Sequence, residues 1–410
     1  MITSDYKPLL KMGVEILPAK TEDKEIIILK DNEGITNQTL VMPIEALALI
    51  QFFNGQNSIK DIQNQILKLT NHLISEYEII DFVKQLEQAN FLENEKVYEL
   101  RKKIYEEFKN SSVRKAIHKG LSYPENLLEL SSFMAKFLKI EDIKFPTQNI
   151  IGVISPHIDI IRGGNVYSKA YGELQKAIIP DVIISFGVSH KGGVSPFIFT
   201  KKEYETPYGN IKVDNDLYTK FEEILWYEPD EEEFFHKDEH SLEFQALWLK
   251  YIWRDKTPKW IPILVTDFER FCEKNPPSKI EYIEKFFNDA EKILKELIKQ
   301  NKKILVIAGV DFSHVGPRFG DDIEITPELK KQVEDFDKKI LNLACDLKAD
   351  EFFTSIVADD NATNICGLSA TYSALRFIKS INPNMKGRLL GYSQADDPFG
   401  GFVSFASMIF

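Results

Sequence analysis

The chain has 410 residues with a net charge of −12, 43% hydrophobic and 28% charged residues, and three cysteines. This length predicts two domains, or one large domain with an appendage, around a sizeable core. The charge argues against a general nucleic-acid or anionic-membrane binder. The few cysteines, the lack of a signal pattern and the lack of an apolar run of about 20 residues predict a cytoplasmic protein without membrane spans.

Residues 1–95 are predicted to form a small N-terminal domain. Two apolar strand patterns, 25–30 and 38–42, flank a turn and indicate a hairpin. Helix patterns follow at 44–54, 58–69 and 75–90. Ser58 and Ser75 stand directly before two of these patterns, so we expect them to be N-caps.

This domain resembles a winged helix, and more closely a PqqD-like peptide-binding domain, over residues 44–50, 54–62 and 82–92. DNA binding is disfavoured, because the third helix pattern would offer phosphates four carboxylates and one lysine. These residues are Glu76, Glu78, Asp81, Glu87 and Lys84. Peptide or partner docking and a purely structural or dimerising role are the alternatives.

Residues 96–112 are predicted to be a charged linker helix. From 113 to 410, apolar strand-like runs alternate with amphipathic helices, for example at 214–225, 241–253, 280–300 and 327–345. This alternation predicts an α/β domain with a central, largely parallel sheet flanked by helices. The end of the chain, 401–410, is predicted to be a final strand.

Three apolar runs, beginning at residues 150, 182 and 304, each end shortly before a histidine: His157, His190 and His314. Such runs are typical of strands buried on both faces, and ligands bind beyond the carboxyl ends of such strands. If the strands share a sheet, these histidines meet at one edge. Asp311 could coordinate a cation or orient an imidazole; alternatively, it caps a helix whose first turn carries His314.

Cys366 stands just before a helix-like stretch, where a metal or a helix N-terminus would stabilise a thiolate. The alternative is an inert buried thiol, which we expect for Cys272 and Cys345. His240 and Arg162 are expected to support the site from outside the ligand set. Imidazoles, a thiol and a carboxylate at one edge indicate a metal or redox site.

Several of these residues lie in motifs that, in chain order, resemble the Memo family, and more narrowly its bacterial branch, protein B of the AmmeMemoRadiSam system. The motifs are 114–124, 155–157 with 162–164, 187–190, 205–209, 238–243, 311–314 and 365–367. The resemblance implies a fold like that of class III extradiol dioxygenases. It also implies that His157, His190 and Cys366 bind a metal ion. Asp311 and His314 would be the catalytic residues beside it.

The resemblance places Cys366 where the dioxygenases have a carboxylate, and a thiolate accepts copper(I), zinc or iron. Our first hypothesis is therefore a metal-dependent redox enzyme with iron or copper rather than zinc. Its partners would be a radical-SAM protein and other proteins of the AmmeMemoRadiSam system. The alternatives are a non-catalytic metal- or peptide-binding adaptor and a hydrolase using zinc-bound water with His314 as the base.

Overall fold

The structure is a computed structural model that describes residues 2–20, 24–141, 143, 146 and 148–410. The chain divides into two compact units, Met1–Asn110 and Ser111–Phe410. Each unit has a buried apolar core of its own. In the described part of the chain, no helix combines the length and apolar character needed to cross a bilayer.

The first unit contains a three-stranded antiparallel sheet in the order β1 (Val14–Lys20), β2 (Glu25–Asp31) and β3 (Leu40–Pro43). The hairpin predicted from the apolar patterns at 25–30 and 38–42 is formed by β2 and β3. The strand β1 was not predicted.

Four helices accompany this sheet: α1 (Leu47–Ile50), α2 (Ile59–Thr70), α3 (Glu76–Gln88) and α4 (Glu95–Asn110). Ser58 and Ser75 cap α2 and α3 as predicted, each in a reciprocal capping box. The helix expected over 44–54 is wrong in extent, because α1 ends at Ile50. The chain then bends so that the Phe53 carbonyl accepts a hydrogen bond of 2.8 Å from the Leu10 amide.

The helix α4, predicted as a linker over 96–112, belongs to the first unit. Val97 is fully buried. Arg101 forms ion pairs with Glu93 at 2.8 Å and with Glu33 at 3.0 Å. These contacts fix α4 to the loop that follows β2 and to the segment just before the helix.

Ten strands lie in the described residues of the second unit: β4 (Val113–Arg114), β5 (Gly152–Ser155), β6 (Val182–Val188), β7 (Phe197–Phe199), β8 (Glu203–Tyr204), β9 (Trp260–Val265), β10 (Ile304–Gly309), β11 (His314–Val315), β12 (Arg388–Asp396) and β13 (Phe402–Ile409). Eight form one sheet in the order β11-β13-β5-β10-β6-β9-β7, with β12 also paired to β13. The four central strands of this order, β5, β10, β6 and β9, are parallel to one another. β13 joins β5 antiparallel, so the predicted final strand is confirmed.

Nine helices complete the described part of this unit: α5 (Leu127–Met134), α6 (Ile160–Lys176), α7 (Asn215–Glu222), α8 (Ser241–Trp253), α9 (Glu269–Cys272), α10 (Glu281–Lys299), α11 (Pro327–Cys345), α12 (Ala349–Val357) and α13 (Leu368–Ile381). α6 packs on α8, and α13 packs on α10 and α12. The two groups cover opposite faces of the sheet, because Gly309 faces α8, whereas Gly152, which pairs with Val306, faces α13. The predicted α/β architecture, a mainly parallel central sheet between helices, is confirmed.

Two glycines let the start of α8 approach the sheet closely. A Cβ atom on Gly309 would lie 2.5 Å from the Ser241 carbonyl oxygen, and one on Gly187 would lie 2.5 Å from the Ser241 hydroxyl. Side chains at these two strand ends would push α8 away. Their absence places Glu239 and His240 next to the ends of β6 and β10.

Candidate metal centre

The carboxyl ends of three neighbouring parallel strands form the base of the candidate site. β10 lies between β5 and β6 and pairs with both. After each strand the chain enters a loop, and these loops carry His157, His190 and Asp311. The structure therefore brings together residues that lie far apart in the sequence.

Three imidazoles meet at this edge. His157, His190 and His240 each offer one nitrogen, and these atoms lie within 4.8 Å of one another. The His190 and His240 rings are stacked, with centroids 4.9 Å apart. His157 meets them edge-on, at 4.9 Å and 5.0 Å. His240, expected only as a supporting residue, thus lies among the candidate ligands.

Each of these imidazoles is oriented through its Nδ1 atom. His157 Nδ1 lies 3.1 Å from the Gly309 carbonyl oxygen. A carbonyl oxygen only accepts, so Nδ1 carries the hydrogen and Nε2 keeps its lone pair. The Nδ1 atoms of His190 and His240 lie 3.0 Å and 3.3 Å from the Glu239 carboxylate. Metal-binding histidines in proteins are oriented in this way.

Glu239 is the buried acceptor that the sequence reasoning missed. Its carboxylate also accepts hydrogen bonds from the backbone amides of His190, at 3.1 Å, and Ser241, at 2.9 Å. Burial acts to raise the pKa of Glu239, but His190 and His240 hold that pKa well below its usual range. The available signal was an acidic residue directly before His240 in the 238–243 motif.

The three histidines differ in their protonation without a metal ion. Burial lowers the pKa of both His157 and His240 well below the usual value, so both are neutral near pH 7. Burial also acts to lower the pKa of His190, but Glu239 and a hydrogen bond with Cys366 raise it well above the usual value. A cation bound here would replace the proton on His190.

Cys366 lies beside this cluster, at the start of α13. Its Sγ atom is 3.4 Å from His157 Nε2 and 3.8 Å from the Asp311 carbonyl oxygen. Burial raises the pKa of the thiol, and His190 opposes that effect. Any Cβ atom on Gly367 would collide with the Asp311 carbonyl oxygen, so glycine permits this approach.

Asp311 lies under His157. Its carboxylate accepts a 3.0 Å hydrogen bond from the His157 amide, and its other oxygen is 3.6 Å from His157 Nε2. Burial raises the pKa of Asp311 to about 6. The helix-cap alternative is wrong, because the chain continues from Asp311 into the strand β11 and not into a helix.

His314 lines the same cleft. Its Nδ1 lies 2.9 Å from the Phe312 carbonyl oxygen and 3.1 Å from that of Asn364. Nδ1 therefore carries the hydrogen, and Nε2 is the basic atom. Burial lowers the pKa of His314, which keeps the ring neutral near pH 7.

The cleft over these residues has a volume of about 640 Å³, which suits a small molecule. Phe244, Phe319 and Val403 supply apolar walls. Arg162, expected to support the ligands, lies on the cleft wall and forms ion pairs with Asp159 and Asp397.

His118 also lines the cleft, and sequence reasoning did not select it as a site residue. Its ring centroid is 5.7 Å from that of His240, and its Nε2 is 3.2 Å from the Asp238 carbonyl oxygen. Because it follows no apolar strand pattern, its only signal was its place within the 114–124 motif.

The donor set fits a transition-metal ion. Bond lengths of about 2.0–2.3 Å place tetrahedral nitrogen and sulfur ligands about 3.3–3.6 Å apart. The 3.4 Å between Cys366 Sγ and His157 Nε2 falls in that range. The imidazole nitrogens, within 4.8 Å of one another, need at most a small inward movement. Nitrogen and sulfur donors favour copper, iron or zinc over magnesium or calcium.

Comparison with known proteins gives matches along most of the chain. Residues 114–409 match the model of the family described as Memo-like protein. A MEMO1 family protein of Aquifex aeolicus is 29% identical over 93% of this chain and 95% of its own length. One from Thermus thermophilus is 26% identical over 82% of this chain and 93% of its own length.

A third relative, a MEMO1 family protein of Pyrococcus furiosus, is 26% identical over 62% of this chain and 83% of its own length. Among solved structures, an uncharacterized protein of Escherichia coli K12 aligns with a TM-score of 0.37 and 13% identity, over 64% of this chain and 100% of its own.

Proposed function

This chain belongs to the Memo family, and from that premise we propose that its second unit is a metal-dependent enzyme whose cleft binds iron or copper for redox chemistry on a small substrate. The observation that carries the proposal is a cluster of three imidazole nitrogens that lie within 4.8 Å of one another, with the Cys366 Sγ atom 3.4 Å from His157 Nε2. These groups come from the loops after β5 and β6 and from the starts of α8 and α13. Four such donors at one edge of the sheet favour a metal site over four unrelated structural roles.

His157 and His190 are the two ligands common to every arrangement that we consider. Cys366 is the third ligand that the family resemblance implies, and His240 is a further candidate on geometry. A thiolate favours copper(I), iron or zinc. Zinc has no redox chemistry, so the redox proposal requires iron or copper.

The remaining cleft residues have roles in proton transfer and orientation. A bound ion supplies Lewis acidity and electron transfer. His314 accepts or returns a proton at Nε2, because its Nδ1 hydrogen is held by two carbonyl oxygens. Asp311 holds the backbone of His157 in place, and its pKa of about 6 allows it to take up a proton near neutral pH.

Anaerobic purification followed by elemental analysis tests the proposal. We expect about one iron or copper ion per chain, lost in His157→Ala and His190→Ala. Cys366→Ser and His240→Ala identify the remaining ligand through their metal content. Cys345→Ser is the matched control, since Cys345 is a free thiol at the end of α11.

The role of His314 is tested separately with His314→Ala. We expect its metal content to match the wild type while its reactivity with oxygen or peroxide changes. Loss of metal would make His314 a ligand instead. Zinc as the sole bound metal, with no redox response, would support the hydrolase. Wild-type protein that retains no metal would contradict the whole proposal.

A second candidate function, partner or peptide docking, is favoured by one observation in the first unit. An apolar groove of about 540 Å³ lies between β3 and α3, lined by residues such as Met42, Leu49 and Phe82. β3 is an edge strand of its sheet in the described chain. Such an edge beside an apolar groove can take up an extended segment.

We propose a radical-SAM protein of the same organism, or its peptide, as the first docking partner to test. The measurement is binding of the full-length chain to the purified partner. Leu49→Arg should abolish binding, and Leu69→Arg, an exposed α2 position, should not. Equal binding by both variants would exclude this groove.

A further inference from the structure

Arg114 is a fully buried arginine that the proposed chemistry does not use. It belongs to the short strand β4, and its side chain forms an ion pair with Glu243 of α8. Both side chains are 0% exposed. Removing one partner of such a pair leaves a buried charge without compensation, so the pair requires an explanation.

Besides the Glu243 carboxylate, the guanidinium binds three backbone carbonyl oxygens. Its Nε donates to the His236 carbonyl oxygen at 2.9 Å, and its Nη2 donates to the Glu239 carbonyl oxygen at 2.7 Å. Nη1 donates to the Lys115 carbonyl oxygen as well as to Glu243. Arg114 therefore holds both ends of the segment 236–239.

Glu243, in the first turn of α8, binds the segment that follows Arg114. Its carboxylate accepts hydrogen bonds from the backbone amides of Ile117 and His118, at 3.2 Å and 3.0 Å, and from the Tyr123 hydroxyl. The segment 114–123 is thus closed onto the beginning of α8, where Glu239 and His240 precede the first turn.

We infer that Arg114 is a positioning residue for the metal centre, acting through the backbone of Glu239 on the orientation of His190 and His240. The inference rests on the proposed metal site. The chain of contacts is continuous: Arg114 fixes the Glu239 carbonyl, and the Glu239 carboxylate accepts from His190 Nδ1 and lies 3.3 Å from His240 Nδ1. Groups that orient metal-binding histidines affect metal affinity without touching the ion.

Lysine cannot replace arginine in this position. The planar guanidinium directs several N–H groups at fixed angles, whereas an ammonium is a compact charge on a flexible stem. Arg114→Lys can preserve the charge pair with Glu243 but cannot reach the carbonyl oxygens of His236 and Glu239 together. This variant separates the charge of Arg114 from its positioning contacts.

The test uses full-length, metal-free protein loaded with cobalt(II) alone, whose visible absorption reports the ligand geometry. We expect Arg114→Lys to bind cobalt(II) about 10- to 100-fold more weakly, with a changed spectrum. The matched control is Arg376→Lys. Arg376 forms two hydrogen bonds to Glu284 between α13 and α10, at 2.7 Å and 3.0 Å, and does not line the cleft.

A second variant covers the case in which Arg114→Lys does not fold. The double variant Arg114→Met with Glu243→Gln removes both buried charges. The amides of Ile117 and His118 donate to different oxygens of Glu243, so the glutamine oxygen can still accept from one of them. Replacing both partners of a buried pair is often neutral for stability. Its cobalt(II) affinity should fall in the same way.

Three outcomes decide the matter. Weak, spectrally altered binding in every Arg114 variant that folds, with wild-type binding in Arg376→Lys, supports the positioning role. Wild-type affinity and spectrum in a folded Arg114 variant, or a loss that Arg376→Lys shares, overturns it. A wild-type chain that binds no metal overturns the proposed function, and the inference with it.

Discussion

Acid should weaken the second unit through one buried histidine, His236. The His236 side chain is fully buried. Its Nε2 lies 2.9 Å from the Ile198 carbonyl oxygen, and its Nδ1 lies 2.7 Å from the Tyr204 hydroxyl. The carbonyl fixes the hydrogen on Nε2, so in the neutral ring Nδ1 accepts the hydrogen of the Tyr204 hydroxyl. Burial lowers the pKa of His236 to about 3.

The size of the effect follows from linkage. In the unfolded chain a histidine has a pKa of about 6.5, so as the pH falls the unfolded state binds the proton first. The stability from neutral His236 is complete above about pH 6.5 and declines towards pH 3. Below the unfolded-state pKa, the free energy of unfolding falls by about 1.4 kcal/mol per pH unit, so between pH 7 and pH 5 it falls by about 2 kcal/mol.

Urea unfolding at pH 7 and pH 5, with a chelator present, measures this loss. The four tryptophans, Trp226, Trp248, Trp253 and Trp260, all lie in the second unit, so their fluorescence follows that unit alone. His236→Gln should be less stable at pH 7 but lose about 2 kcal/mol less than the wild type on acidification. The other histidines titrate in both proteins, so they cancel in the comparison. Equal losses in the two proteins would refute the assignment.

Four further substitutions, one of them a control, have defined outcomes. Glu239→Gln should weaken metal binding about 10- to 100-fold in a chelator competition, because His190 loses its charged acceptor and His240 loses the carboxylate beside its Nδ1; unchanged affinity would show that Glu239 does not orient these rings. Gly309→Ala should destabilise the second unit by about 1–3 kcal/mol in urea through the clash with α8. Gly172→Ala, with space inside α6, should be neutral or stabilising; a similar loss in both would contradict the packing argument. Ser58→Ala should cost about 1 kcal/mol of first-unit stability in far-UV circular dichroism and leave metal content unchanged; altered metal content would be the contrary result.

The sequence predicted those parts of the fold that short-range patterns determine. The apolar runs identified β5, β6 and β10, and β5 ends at Ser155, directly before Pro156. The strand β1 was missed, since its sequence includes Pro18 and shows no clear alternation. The first helix is shorter than its pattern because Phe53 pairs with Leu10, and such a long-range contact leaves no local signal.

The candidate site shows the same division. His157, His190 and Asp311 could be predicted as site residues from the sequence, because each follows the end of an apolar strand pattern. The groups that orient these residues could not be predicted in the same way. Gly309 acts through its backbone carbonyl oxygen, which any residue has, and Glu239 closely follows the stretch 228–233, whose acidic residues are typical of a solvent-exposed loop. Strand order decides which loops are neighbours, and only the tertiary structure places the start of α8 between the ends of β6 and β10.

The candidate ligands are scattered along the second unit, and His157 and Cys366 are 209 positions apart. No early portion of a growing chain can hold the complete set, so an ion bound at the proposed site would enter only after the sheet has assembled. An ion that binds only the assembled state also ties its distant segments together. Each tenfold rise of free ion above its dissociation constant would add about 1.4 kcal/mol against unfolding. A shortage of the ion that the proposed site binds would then leave the protein easier to unfold and to degrade.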